Sequence, residues 1–141
     1  AAARARLSGP RIHVLGIEAD LDITYTIDLL TVLRRRAPRA RLVWIMGADG
    51  LAGVHRWRRW RDIARAAPIA VISRPTATDR PDPRAGLSPF AHSFAKARLP
   101  PRAAQALASR RPPAWTLLAA PLHRASSTAL RARAPQNLPD T

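Results

Sequence analysis

The chain has 141 residues, a formal net charge of +15 and no cysteine, and 47% of its residues are apolar. The apolar content supports a buried core and argues against global disorder, while the lack of cysteine excludes disulfide frameworks and cysteine-ligated metal sites. No apolar run approaches the ~20 residues of a membrane helix, and the first residues lack the apolar segment of a signal peptide, so we expect a cytoplasmic protein with no membrane partner.

The strongly positive charge suggests nucleic-acid binding. However, Lys96 is the only lysine, and the arginines are scattered along the chain together with abundant alanine and proline. This bias is also typical of a GC-rich genome, and the same charge suits a phosphate-bearing ligand. We therefore expect no dedicated nucleic-acid function and keep a basic, non-catalytic nucleic-acid-binding module as the alternative.

The first third of the chain predicts a strand, a turn and a helix. Residues 11–17 are rich in β-branched and apolar types and predict a strand, and a polar turn follows at 18–24. Apolar residues at helical spacing predict a helix over 26–37. Thr26 can cap this helix, and Asp28 would lie in its positive first turn.

Three further apolar runs predict strands, and the segments between them predict helices. The strands are predicted at 41–46, 69–73 and 115–120, with a short helix at 57–66 and helical pieces near 88–98 and 101–110. A strand–helix–strand order with helix-length connections predicts a parallel sheet with right-handed crossovers. The fold class is therefore α/β, with helices on both faces of the sheet.

The remaining segments carry weaker patterns. Residues 76–100 are predicted to form an irregular loop and helical insertion, because proline, glycine and aspartate are frequent in its first half. A last helix is predicted at 126–134, followed by a loose tail at 135–141. With no internal repeat, the whole range 1–141 is interpreted as a single domain.

Gly47 and Asp49 follow the strand predicted at 41–46. In open α/β sheets, ligands bind beyond the carboxyl ends of the strands. Gly47 would let a ligand approach the backbone, and Asp49 could accept hydrogen bonds from ribose hydroxyls. A helix N-cap is the alternative role for Asp49.

Two tryptophans, Trp57 and Trp60, lie among four arginines in a segment that follows the same strand. Their spacing of three predicts a shared helix face. Both rings could pack on the sheet, or one could pack while the other stacks on a flat ligand. The pattern alone leaves both arrangements open.

Hydroxyl residues begin the last predicted helix, at Ser126, Ser127 and Thr128, and Arg131 follows one turn later. Backbone N–H groups at a helix start bind anions, and Arg131 can face the same anion. A well-capped terminal helix explains the pattern equally well.

The four histidines lack metal-ligand spacing, and there is neither a Walker loop nor a Gly-x-Gly-x-x-Gly motif.

Taken in order, these motifs resemble the nicotinate-nucleotide adenylyltransferase family of the α/β nucleotidyltransferases. The resemblance covers about residues 11–75 and 115–133. The resemblance depends on five motifs in this order. They are Thr-Tyr-Thr at a helix start (24–26), a strand that leads into Gly-Ala-Asp (47–49), Arg-Trp-Arg-Arg-Trp (56–60), a strand that leads into Arg-Pro (74–75) and Ser-Ser-Thr-x-x-Arg (126–131). It implies a Rossmann-like fold and a reaction of ATP with nicotinate mononucleotide that gives deamido-NAD and pyrophosphate, with Mg²⁺ on the ATP phosphates. Another adenylyltransferase of the same superfamily is a further alternative.

The resemblance also implies roles for single residues. Trp57 would stack on the nicotinate ring, the backbone at Thr26 and Arg58 would receive the pyridine carboxylate, and Trp60 would pack. Gly47 and Asp49 would line the dinucleotide site. The residues implied to hold the ATP phosphates are Arg74, Ser126, Ser127, Thr128 and Arg131.

The family's His-x-Gly-His turn, which binds ATP, has no counterpart in this sequence. No catalytic residue is therefore assigned. The first strand, helix and second strand of the family also have no counterpart, which predicts that the chain is the carboxyl-terminal two-thirds of the enzyme and that ATP chemistry is impaired without the rest.

Overall fold

The computed structural model describes residues 16–73 and 83–120. Four strands form its centre: β1 Trp44–Gly47, β2 Ile69–Ser73, β3 Arg98–Leu99 and β4 Trp115–Ala119. They lie in the order β1-β2-β4-β3, and every neighbouring pair is parallel. The predicted parallel α/β architecture is confirmed.

Within the described part of the chain, six short or medium helices surround this sheet. They are α1 Ile17–Asp20, α2 Thr26–Arg36, α3 Ala48–Gly53, α4 Trp60–Ala66, α5 Pro83–Gly86 and α6 Pro89–Ser93, and 3-10 turns lie at Val54–Arg56, Ala95–Ala97 and Pro101–Ser109. Local sequence explains some starts: Ser88 caps α6 by accepting a hydrogen bond from the Ala91 N–H at 3.2 Å, and proline follows the cap.

Strand β2 separates two apolar clusters because successive side chains of a strand point to opposite faces. Ile69 and Val71 belong to the larger cluster, which also includes buried residues of α2, α3, α4 and α6. Ala70 belongs to the smaller cluster, with Leu107 of the 3-10 segment and Ala114. Both faces of the sheet are therefore covered by helical segments, as predicted.

Helices α2 and α4 pack side by side. Near the end of α2, the Arg34 Nε–H donates to the carbonyl oxygen of Ala66, the last residue of α4, at 2.9 Å. Since this bond joins two carboxyl ends, the amino ends of both helices also lie together. The connection containing α4 leaves the carboxyl end of β1, so these amino ends lie at the carboxyl edge of the sheet.

Several predicted boundaries in the first part of the chain are wrong. Thr26 does not cap α2: Tyr25 holds the cap position in extended backbone, and Thr26 is the first helical residue. Ile17 begins α1 instead of ending a strand, and residues 11–15 lie outside the described residues. Strand β1 begins at Trp44 because its partner β2 begins at Ile69, directly after a proline and the end of α4.

The predicted helix near 88–98 is also wrong in its second half, where α6 gives way to a 3-10 turn and the edge strand β3. Two bonds from β4 hold this edge: the Thr116 hydroxyl donates to the Leu99 carbonyl at 3.0 Å, and the Trp115 indole N–H donates to the Phe94 carbonyl at 2.8 Å. The part of the predicted 76–100 insertion that the structure describes is thus an edge of the sheet and its neighbouring helices.

Candidate ligand-binding cleft

The chain turns sharply between the two tryptophans. Trp57 follows a 3-10 turn and donates its N–H to the Val54 carbonyl at 2.9 Å. Arg59 then adopts the left-handed conformation, with φ 52° and ψ 39°, and α4 begins only at Trp60. Because the left-handed residue interrupts any helix, the predicted shared helix face of Trp57 and Trp60 is wrong, and so is the predicted helix start at 57.

Trp60 is partly buried and packs against the core, as expected. Its ring centroid lies 6.1 Å from that of Phe90 and 6.0 Å from that of Phe94. The Arg61 guanidinium lies 4.2 Å from its centroid on the outer side. Trp60 therefore has neighbours from α6 and the segment after it, whereas Trp57 lies elsewhere.

Trp57 forms part of a cleft of about 340 Å³ at the amino ends of α2 and α4. The lining residues are Thr24, Tyr25, Thr26, Arg56, Trp57, Arg58 and Ile63. Trp57 is 37% exposed and Tyr25 43% exposed, while Ile63 beneath them is buried. Two accessible aromatic rings beside an apolar side chain suit a flat ligand.

The cleft is positively polarised. Its lining includes Arg56 and Arg58 and no acidic residue. The Arg58 guanidinium carbon lies 4.7 Å from the centroid of the Tyr25 ring. Thr26 begins α2, so its N–H has no intrahelical acceptor and lies at the positive end of the helix dipole. An aromatic ligand that carries a negative group matches this combination.

An ion pair holds the turn that precedes α4. The Arg59 Nε–H donates to Asp62 Oδ2 at 2.9 Å, and Arg65 contacts the other carboxylate oxygen at 3.4 Å. The hydrogen bond from Arg59 is the main reason why the pKa of the Asp62 carboxyl lies below its usual range. This pair supports the left-handed backbone of Arg59 on the side of the turn that leads into α4.

Gly47 and Asp49 lie at the carboxyl end of β1 and do not line the cleft. Asp49 is an exposed residue in the first turn of α3, and Gly47 holds the cap position, so the N-cap role for Asp49 is wrong. A Cβ on Gly47 would meet nothing within 4 Å. The space beside Gly47 is open, and the ligand roles of both residues stay predictions.

The residues expected to hold ATP phosphates lie outside the described residues; they are Arg74, Ser126, Ser127, Thr128 and Arg131. Strands β2 and β4 end side by side, where the Ala120 N–H donates to the Ser73 carbonyl at 2.9 Å.

Within residues 16–73 and 83–120, no group of three or more His, Cys, Asp or Glu side chains is placed to hold a metal ion.

The structure brings together three residues that the family resemblance assigns to one ligand: Thr26, Trp57 and Arg58. Tyr25 and Arg56 also line the cleft and were not predicted, although both lie inside the motifs given above. The signal that would have identified Tyr25 is an aromatic residue directly before a predicted helix start. Ile63 carried no such signal, because an apolar residue inside a helix predicts only core packing.

Comparison with known proteins gives strong matches. The chain is 52% identical over 125 residues to a protein from a Caulobacter species, a match that covers 89% of this chain and 64% of the relative. It is 47% identical over 123 residues to a Brucella abortus protein, covering 86% and 61% respectively. It is 43% identical over 132 residues to a Cereibacter sphaeroides protein, covering 94% and 68%.

All three relatives are named "Probable nicotinate-nucleotide adenylyltransferase". The chain thus spans between 61% and 68% of the length of these curated relatives. No family model matches the sequence.

None of the described helices has the length and hydrophobicity needed to cross a membrane.

Proposed function

This chain belongs to the nicotinate-nucleotide adenylyltransferase family, and we propose that it provides the nicotinate mononucleotide site of an enzyme that transfers the adenylyl group of ATP to that nucleotide. The observation that carries the proposal is the cleft between the Tyr25 and Trp57 segments, which combines aromatic rings with positive charge. Nicotinate mononucleotide contains a flat cationic pyridinium ring that bears a carboxylate, and both features match this cleft.

The pyridinium ring would lie against Trp57, where stacking is strengthened by a cation–π contribution of about 0.5–2 kcal/mol. The carboxylate would accept hydrogen bonds from the backbone N–H groups of Thr26 and Arg58. Among the described residues, the Arg58 N–H makes no other hydrogen bond. Charge-assisted bonds of this kind are stronger than neutral ones.

The nucleotide's phosphate would attack the α-phosphorus of ATP, forming a new P–O–P bond while the bond to the β-phosphate breaks and pyrophosphate leaves. Such transfers depend mainly on positioning and charge neutralisation. In this proposal Gly47 and Asp49 line the ribose region, and Mg²⁺ arrives on the ATP phosphates. Those phosphates are assigned to Arg74, Ser126, Ser127, Thr128 and Arg131.

The substrates are charged nucleotides made inside cells, so the proposal includes a cytoplasmic location. The first test measures the binding of nicotinate mononucleotide to this chain. The quenching of tryptophan fluorescence reports the binding. We expect Trp57→Ala to weaken binding about tenfold, from the loss of ~1–2 kcal/mol of stacking. Trp57→Phe is the matched control and should retain most of the affinity, because it keeps an aromatic face.

The second test is catalytic, with deamido-NAD formation measured from ATP, Mg²⁺ and nicotinate mononucleotide. Two proteins are compared: this chain, and the product of the reading frame extended upstream of Ala1. We expect activity in the extended product and much less in this chain. If neither protein binds nicotinate mononucleotide nor forms deamido-NAD, the proposed function is wrong.

A further inference from the structure

A second concavity lies at the opposite end of the strands, beside the amino ends of β3 and β4. Its volume is about 280 Å³. The residues that line this basic groove are Lys96, Ala97, Arg98, Leu99, Arg110, Arg111, Pro113 and Ala114. Because the aromatic cleft lies at the carboxyl edge, the two sites are separated by the length of the strands.

The basic groove concentrates positive charge that forms no ion pair within residues 16–73 and 83–120. Four of its lining residues are cationic and none is acidic. The sequence has no aspartate or glutamate between residues 83 and 120. Both ion pairs among the described residues involve Asp62, which does not line the groove. Arg41 adds a fifth cation nearby, since its Nη1 donates to the Ser109 hydroxyl oxygen at 3.1 Å.

One of these cations is held on a rigid base. The Arg98 guanidinium carbon lies 5.1 Å from the centroid of the Trp115 ring. The ring itself is buried and fixed by its hydrogen bond to the Phe94 carbonyl at 2.8 Å. A guanidinium supported in this way loses less conformational entropy when it binds an anion.

We propose that the basic groove binds a small ligand that carries two or more linked phosphate groups. Arginine guanidinium groups match phosphate oxygens in a bidentate geometry, and several of them around one concavity favour several adjacent phosphates. The volume suits a small molecule. The lining offers no aromatic face for stacking a base, which single-stranded nucleic-acid sites require. Recognition is therefore assigned to the phosphates and not to a nucleobase.

Calorimetric titration of the full chain with inorganic tripolyphosphate tests this proposal. The variant Arg110→Gln/Arg111→Gln removes two groove cations, and we expect it to lower the affinity of the groove about tenfold or more. The control Arg35→Gln/Arg36→Gln removes the same charge from exposed positions in the last turn of α2, outside the groove. Equal weakening in both variants would mean that binding follows net charge, and the proposal would be overturned.

A third variant separates the groove from the proposed ATP site, which would also attract phosphates. Arg131→Gln should leave one tripolyphosphate-binding event that Arg110→Gln/Arg111→Gln removes. If Arg131→Gln abolishes all binding instead, the ligand occupies the proposed ATP site and the groove assignment fails. Because this readout needs no catalysis, its result is independent of the proposed function.

Nuclear magnetic resonance locates the site directly. Tripolyphosphate should shift the indole N–H signal of Trp115, which lies under Arg98, and the groove variant should lose that shift. A shift of the Trp57 signal alone would place the ligand in the aromatic cleft and contradict the proposal. Binding of long RNA without saturable binding of tripolyphosphate would also contradict it, since an extended polyanion surface would then be the better description.

Discussion

The Arg58 guanidinium carbon lies 4.7 Å from the centroid of the Tyr25 ring. This contact joins the segment before α2 to the segment before α4, two segments that are far apart in the sequence. Both residues line the aromatic cleft. Their pairing therefore connects the two walls of the cleft and positions the backbone of Arg58. In the proposed function, the N–H of this backbone binds the carboxylate of the ligand.

A double-mutant cycle measures this connection. Arg58→Ala and Tyr25→Leu should show a coupling free energy of about 0.5–1 kcal/mol in urea unfolding, the range of an exposed cation–π contact. Arg56→Ala is the control, because Arg56 lines the same cleft without a ring contact among the described residues. A coupling for Arg58 no larger than that for Arg56 would contradict the interpretation.

The two tryptophans should respond in opposite ways to truncation. Trp60→Ala should lower the free energy of unfolding by about 3 kcal/mol, since its ring packs on Phe90 and Phe94. Trp57→Ala should cost about 1 kcal/mol or less, because the ring is partly solvated. Chemical denaturation of both variants checks the order, and a larger loss for Trp57 would show that it is a core residue.

The left-handed backbone of Arg59 predicts an unusual preference for glycine. Alanine and glycine at position 59 both remove the Arg59–Asp62 ion pair, but glycine also relieves the left-handed conformation. We expect Arg59→Gly to be more stable than Arg59→Ala by about 1 kcal/mol in thermal or urea unfolding.

The same pair of substitutions at Arg65 provides the control. Arg65 lies in the last turn of α4, where glycine is less favourable than alanine by up to about 1 kcal/mol. The order of the two variants should therefore reverse between positions 59 and 65. The same order at both positions would show that the turn at Arg59 is not strained.

Asp62 predicts a specific pH dependence of stability. Its pKa is lowered mainly by the hydrogen bond from Arg59 and further by the positive charges of Arg59 and Arg65. A carboxyl with a depressed folded-state pKa stabilises the fold above its unfolded pKa, and this contribution disappears as the pH falls through the folded-state pKa.

We therefore expect the stability difference between the protein and its Asp62→Asn variant to be constant near neutral pH and to shrink below about pH 4. Denaturant unfolding across pH 2–7 measures it. In an Arg59→Gln background the same comparison should show a weaker dependence. A difference that persists unchanged at the acid end would mean that the carboxylate is not stabilised in the fold.

Much of the fold could be predicted because buried parallel strands have a strong local signature. The strand predicted at 69–73 matches β2, and the one predicted at 115–120 exceeds β4 by one residue. Continuous apolar runs of this length are typical of strands that are covered on both faces. Strand β3 has no such signature, since its two residues pair only because β4 lies beside them.

The candidate site also has a part that the motifs predicted and a part that only the tertiary structure shows. The motifs placed Thr26, Trp57 and Arg58 at one ligand, and the cleft contains all three. Gly47 and Asp49 lie at the end of β1 outside that lining. The contact of Tyr25 with Arg58 joins distant segments, and no local pattern encodes it.

The ordered motifs indicated the family by resemblance, and the relatives confirm it. Local residue patterns were sufficient for the parallel α/β order and the main strands, because propensity and hydrophobic periodicity act over short stretches. The packing of distant segments determined the rest. It separated Trp57 from Trp60 through the left-handed Arg59, and it joined residues 96–99 and 110–114 into the basic groove. Such contacts depend on how the chain folds back on itself, and tertiary packing overrides local preference wherever the two compete.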